Sequence, residues 1–160
     1  MPGRKMVIWL SPGWPIQPTG ANVDLNAEQE RGLFTSLLTI WNSLLQARIT
    51  LYSVDPLGVD DAGGQVNYYE DFLKPVITSK RIQVANLALQ VFARKTGGLV
   101  LNSSNDIAAQ LNRCLADAGS YYTLEIRTGP SEHPAQYHAI EVKVEHGLTA
   151  RSREGYYSQP

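Results

Sequence analysis

Apolar residues first cluster at Lys5–Leu10 (KMVIWL), a short run without strict alternation that Ser11-Pro12-Gly13 brings to a stop. Such a run suits a strand covered on both faces. Pro15, Pro18 and Gly20 keep the following stretch from Trp14 to Leu25 out of regular structure until Asn26, which is placed to cap a helix with Gln29 three residues on. From there to Ala47 the positions Leu33, Leu37, Ile40, Trp41, Leu44 and Leu45 recur at three- and four-residue intervals. They form one stripe that must pack on something. Arg48–Val54 (RITLYSV) reads as a second strand, so the opening unit is strand, helix, strand, for which a right-handed parallel crossover is expected.

Asp55-Pro56-Leu57-Gly58 ends that strand as a turn, and the residues up to Lys80 read as a long loop whose Tyr68, Tyr69, Phe72 and Leu73 offer packing. A second helix is predicted from about Arg81 to Lys95, with Ile82, Ala85, Leu89 and Phe92 on one face and Gly97-Gly98 as its stop. Leu99–Leu101 is a third short strand. Ser104 or Asn105 then caps a third helix through Ala118, turning Ile107, Leu111, Cys114, Leu115 and Ala118 inward. After Gly119 the period falls to two. Tyr122, Leu124 and Ile126 alternate with polar residues, and so do Ile140, Val142 and Val144. These segments predict half-exposed antiparallel strands around a loop at Thr128–Gln136, with Leu148–Arg153 as a last short strand. The fold class is therefore α/β, a three-layer, mostly parallel sheet flanked by helices over residues 1–120. A β extension at 121–160 packs with it as one structural unit.

At 160 residues the chain has the length of one domain and can bury roughly two-thirds of its unfolded surface without a metal or disulfide. It carries 14 basic against 15 acidic residues, a net charge of -1, which gives no general attraction to nucleic acid or anionic lipid. The apolar runs are too short to span a bilayer, and no charged-then-apolar leader opens the chain. A single cysteine, Cys114, rules out an internal disulfide and a cysteine zinc cluster.

The succession GRKMVIWLSPGWP (Gly3–Pro15), ITLYSVDPLG (Ile49–Gly58), LALQVFARKTGG (Leu87–Gly98) and NSSNDIAAQLNRCLADAGSYYTL (Asn102–Leu124), closed by HAIEVKV and LTARSREGYY, resembles the von Willebrand factor A-related domain family of Acidobacteria. The match covers almost the whole chain. It implies the second half of a von Willebrand A domain followed by a small β extension, in exported, extracytoplasmic bacterial proteins. The metal-binding members of the wider fold use an Asp-x-Ser-x-Ser motif, a Thr and a further Asp. Here no D-x-S-x-S occurs, and Ser11 stands at the strand end where those members have Asp. No metal or other cofactor is expected. Because the opening strand corresponds to the fourth of the family fold, the chain is expected to be a fragment or half-domain. The edge of Lys5–Leu10 would then be open to a protein partner or to self-association as a homodimer.

Other chemistry has weaker footing. Ser11 precedes Pro12-Gly13 but lies in no G-x-S-x-G elbow, so it reads as a turn serine. His133, His138 and His146 are spaced by five and eight residues, which matches no zinc pattern. Asp55 occupies the carboxyl end of a strand, where α/β sheets bind ligands, and is equally the first residue of an Asp-Pro turn. Asp60 and Asp61 near Gly63-Gly64 lack the spacing of a calcium loop, and no glycine-rich phosphate motif is present. Cys114 falls on the apolar side of its helix as a core residue. Trp14, Trp41, Tyr121, Tyr122, Tyr156 and Tyr157 include aromatics outside the core stripes that suit an interface. Three readings follow. The first is a non-catalytic interaction domain binding through loops and strand edges. The second is a small-molecule or divalent-metal site at Ser11 and Asp55. The third is a hydrolase built on Ser11 or a histidine, for which no base and orienting acid are apparent.

Overall fold

The computed structural model describes residues 3–14, 24–57, 67–126 and 135–158. Strands β1 (Lys5–Leu10), β2 (Ile49–Val54) and β3 (Val100–Leu101) form a parallel sheet in the order β1-β2-β3. The register pairs Lys5 with Ile49 and Leu10 with Val54, then Ser53 with Val100. Helix α1 (Ala27–Gln46) connects β1 to β2, and Asn26 caps it as the sequence predicts: its Oδ1 accepts from Glu28 and Gln29, while the Gln29 side chain accepts from the Asn26 N–H. At the other end Lys5 Nζ donates to Ala47 O at 2.7 Å, which places a cation on the negative end of the helix.

The sheet is covered on both faces. On one, Leu37 and Trp41 of α1 and Phe92 of α2 (Leu89–Lys95) pack around Leu51 and Val7; on the other, Cys114 of α3 (Ile107–Gly119) packs with Tyr52, Val54, Met6 and Ile8. The predicted α/β class, with a parallel sheet between helices, is the observed one. Among the described residues no helix is long and apolar enough to cross a membrane.

Several boundaries differ from the periodicity. The helix expected over Arg81–Lys95 is split: single 3₁₀ turns at Ser79–Arg81 and Val84–Leu87 precede α2, and Ala88 is extended at φ -65 and ψ 145. Two bonds account for the break. Asn86 Oδ1 accepts from Gln83 N at 2.8 Å, a local cap for the short turn, and Leu89 N, which a continuous helix would pair with Ala85 O, donates instead to Trp14 O at 2.8 Å. The apolar face survives, since Ile82, Ala85, Leu89 and Phe92 are all buried. In α3 the cap is Asp106, which accepts from Ala109 N, rather than Ser104 or Asn105; Ser104 Oγ instead accepts from the Asp106 N–H. Leu115 points outward at 54% exposure. In the loop before α2, Tyr69 is buried with Tyr68, Phe72 and Leu73 against Ala88 and Val91, the packing that the sequence suggested.

The C-terminal strands are antiparallel but lie elsewhere than the alternation placed them. They are β4 (Tyr137–Ala139) and β5 (Gly155–Tyr157), paired Tyr137 with Tyr157. Residues 121–126, 140–144 and 148–153 form no strand, and Tyr122, Leu124 and Ile126 are exposed. The choice follows the aromatic side chains. Tyr157 enters the main core, edge-on to Trp41 and Phe34 and beside Tyr137, and its hydroxyl donates to Val76 O at 3.1 Å.

Strand β3 is too short to pair the whole of β2, and side chains complete the outer edge. Ser53 N and Asp55 N donate to Leu99 O and Leu101 O, but Leu51 N donates to Thr96 Oγ1 at 3.0 Å and Ile49 O accepts from Arg153 Nη2 at 2.5 Å. Gly98 lies so near this edge that a Cβ would come within 1.8 Å of Leu51 O. Thr96→Val keeps the shape of the side chain and strands the buried Leu51 N–H. We expect it to lower unfolding free energy by about 2 kcal/mol in urea titration, the cost of one orphaned buried donor.

Candidate functional site

Among the described residues strand β1 ends the sheet on one side. Its ladder to β2 runs from Lys5 N donating to Arg48 O through Ser11 N donating to Val54 O, so the odd-numbered residues bond β2. By the same geometry the N–H and C=O groups of Met6, Ile8 and Leu10 point away from it, toward the open side. Trp9 and Leu10, at the carboxyl end, are 46% and 52% exposed. The Trp9 ring meets Trp14 edge-on at 4.7 Å. Between this pair and the outer face of α1 lies a groove of about 150 Å³, lined by Val7, Trp9, Trp14, Ile40, Leu44, Ile49, Leu51 and Phe92, all apolar. The family resemblance implied an open edge at β1, and the sequence placed Trp14 among the aromatics outside the core stripes. Neither showed that Ile40 and Leu44 of α1 complete a groove with them.

Ser11 and Asp55 stand one step beyond the Leu10–Val54 pair, side by side at the carboxyl ends of β1 and β2. Each is engaged in its own turn. Ser11 Oγ accepts from Gly13 N at 3.1 Å, and Asp55 Oδ1 accepts from Leu57 N at 2.9 Å. The loop after Ser11 is clamped by buried Gln90, whose Nε2 donates to Pro12 O at 2.9 Å. Gly13, at φ +117, leaves room for that amide, since a Cβ there would lie 2.3 Å from Gln90 Nε2. His138 stacks on Tyr156 within the two-stranded sheet at 5.0 Å, and His146 sits in an exposed turn; neither is bonded to Ser11. His133, Asp60, Asp61 and Gly63-Gly64 lie outside the described residues. Among the described residues no group of three or more His, Cys, Asp or Glu is placed to hold a metal ion. Cys114 is buried on the inner face of α3, and burial pushes its thiol up, away from the reactive thiolate.

At the opposite, amino end of the strands is a polar cluster that sequence reading missed. Tyr52 OH donates to Asp117 Oδ2 at 2.7 Å, and Arg151 pairs with the other oxygen of the same carboxylate. Arg4 donates through Nε to Thr50 Oγ1 at 3.0 Å and through Nη2 to Tyr52 OH at 3.2 Å. Burial, reinforced by the Asp117 carboxylate, pushes the Tyr52 hydroxyl up to about 12. Burial works against the Asp117 charge, but the bonds from Arg151 and Tyr52 outweigh it and hold the carboxyl below its usual range. The available signal was the i, i+2 spacing of Arg151 and Arg153, which puts both on one side of an extended segment.

Among the described residues the most enclosed cation is Lys95, whose side chain is 8% exposed. Its Nζ lies 5.9 Å from the Trp41 ring and 3.8 Å from Glu154 Oε2. The adjoining cavity, lined in part by Trp41, Tyr137 and Tyr157, is about 10 Å³, the size of a single water and too small for a substrate. Burial lowers the Lys95 pKa and Glu154 only partly restores it. A folded-state pKa below the unfolded one penalises the charged form, fully below the folded value and not at all above about 10.5. Stability should therefore rise with pH as Lys95 loses its proton. Lys95→Met should be at least as stable at neutral pH and should lose that rise, as read from denaturation midpoints followed from neutral pH up toward about 10.5.

No protein-family model, curated protein or solved structure matches the chain.

Proposed function

We propose that this chain is a non-catalytic protein-interaction domain that binds an extended strand of another polypeptide along the open edge of β1. The observation that carries the reading is the coincidence of Met6, Ile8 and Leu10 backbone groups that face away from β2 and meet no partner strand among the described residues with the Trp9–Trp14 groove beside them. An added strand would gain main-chain hydrogen bonds from the first and a seat for an apolar side chain in the second, the division of labour of β-strand addition. A volume of about 150 Å³ is enough for one ring-sized group. A second copy of this chain is the occupant we favour, because β1 itself is an extended apolar strand with exposed Trp9 and Leu10 to offer in return. Two copies related by a twofold axis would join their sheets edge to edge.

The resemblance to the von Willebrand A-related family agrees with this reading. It adds an adhesion-type role in an exported, extracytoplasmic protein, without the metal-dependent adhesion site of the wider fold. The other reading, a small molecule or divalent metal at the carboxyl ends of the strands, draws on the adjacency of Ser11 and Asp55. It has less support, since both side chains already accept backbone hydrogen bonds in their turns.

The test is solution mass by light scattering over a concentration series, with and without magnesium or calcium. We expect a dimer that is indifferent to metal. Leu10→Pro removes an N–H that faces away from β2 and a side chain already half exposed, so the variant should keep the fold and remain a monomer. A wild-type chain monomeric up to about 1 mM would overturn self-association, the weakest affinity that would still give a specific dimer. A mass that rises only with metal would transfer the reading to Ser11 and Asp55.

A further inference from the structure

The segment Arg151–Arg153 crosses the amino ends of the strands and is held there by its arginines: Arg151 Nε donates to Gly97 O at 2.8 Å and Arg153 Nη2 to Ile49 O. Arg4 approaches from β1, its guanidinium stacked on the Tyr121 ring at 4.8 Å. Three guanidinium groups thus converge on a region whose one paired carboxylate among the described residues is Asp117. The count is three positive charges against one negative, a local excess of two in a chain whose net charge is -1. Guanidinium groups are not normally gathered without counter-charges, since each repels the others and none can lose its proton. Arg153 is the least compensated. Among the described residues its Nη1 is buried without a hydrogen-bond partner, and the nearby charge acting on it is the like charge of Arg4.

We propose that Arg4, Arg151 and Arg153 form a binding site for a dianionic phosphate group, either free inorganic phosphate or a phosphate ester on another molecule. A dianion balances the excess of two, where a carboxylate would balance half of it. Its oxygens suit the forked N–H groups of arginine, which bind phosphate bidentately. Arg4 and Arg151 keep part of their donors bonded to Tyr52 and Asp117, which fixes the direction of the remaining N–H groups before a ligand arrives. The site is at the opposite end of the sheet from the Trp9 groove, so it stands or falls independently of binding at the β1 edge.

Calorimetric titration of the whole chain with sodium phosphate at about pH 8 and constant ionic strength tests this, because a phosphate ester carries close to two charges there. Saturable one-to-one binding with a Kd below about 1 mM is expected, with no heat from sodium chloride at equal ionic strength. Arg4→Gln and Arg151→Gln should each weaken binding by about tenfold, and Arg81→Gln, on an exposed turn, should not. Arg153→Gln removes the donor to Ile49 O and endangers folding. The thermal shift of the unaltered chain by phosphate therefore serves as the measurement that needs no variant. A phosphoserine peptide supplies the second arm: tighter binding than inorganic phosphate supports an ester on a partner, equal binding supports the free ion. Absence of saturation by about 10 mM, or binding untouched by both Arg4→Gln and Arg151→Gln, would overturn the site.

Discussion

The fold depends on the burial of β2. Thr50 through Val54 are all below 6% exposure, so every backbone N–H and C=O in that stretch must find a partner inside the protein. Strand β1 satisfies one side along its whole length. On the other side β3 is in register only with Ser53 and Val54, and Leu99 O, Thr96 Oγ1 and the Arg153 guanidinium meet the Ser53 N–H, the Leu51 N–H and the Ile49 carbonyl. The connection after α2 and the C-terminal segment are therefore tied to the sheet by the same requirement. The Arg153 guanidinium that closes the outer edge of β2 is also the group that leaves a donor over at the amino end.

Parallel pairing separates two kinds of chemistry. At the carboxyl ends, Ser11 and Asp55 are neighbours, but short-range turns absorb their oxygens. At the amino ends, Tyr52, Asp117 and three arginines form a charged network with cations in excess. Along the flank, half of the backbone groups of β1 face away from β2 and meet no partner strand among the described residues, beside an apolar groove. The proposed interaction surface and phosphate site occupy the flank and the amino end, and neither coincides with the strand ends where ligands of open α/β sheets are usually sought.

What could be read in advance depended on how local the cause was. Helix α1 was legible in full because its cap, its capping box and its apolar stripe all lie within the helix itself. The second helix was not, because the bond that breaks it joins Leu89 to Trp14, far away in sequence. The C-terminal strands were misplaced for a related reason. Alternation at Tyr122–Ile126 and Ile140–Val144 describes a face able to be half buried, but burial needs an opposing surface, and the space near Trp41 and Phe34 was taken by Tyr137 and Tyr157.

Of the sites, the sequence alone identified Ser11 and Asp55 as strand-end residues and β1 as an apolar strand, since those follow from position within a single element; the open edge of β1 came only from the family resemblance. The sequence also determined the α/β class, because the change between strand and helix periods is written residue by residue. The tertiary structure decided which polar groups are left with unmet capacity. Arg4, Asp117, Arg151 and Arg153 meet only when α3 and the C-terminal segment are folded over the ends of β1 and β2. The Trp9 groove exists only where α1 packs beside β1. Charge balance and surface complementarity are sums over neighbours in space, and periodicity along the chain carries no record of them.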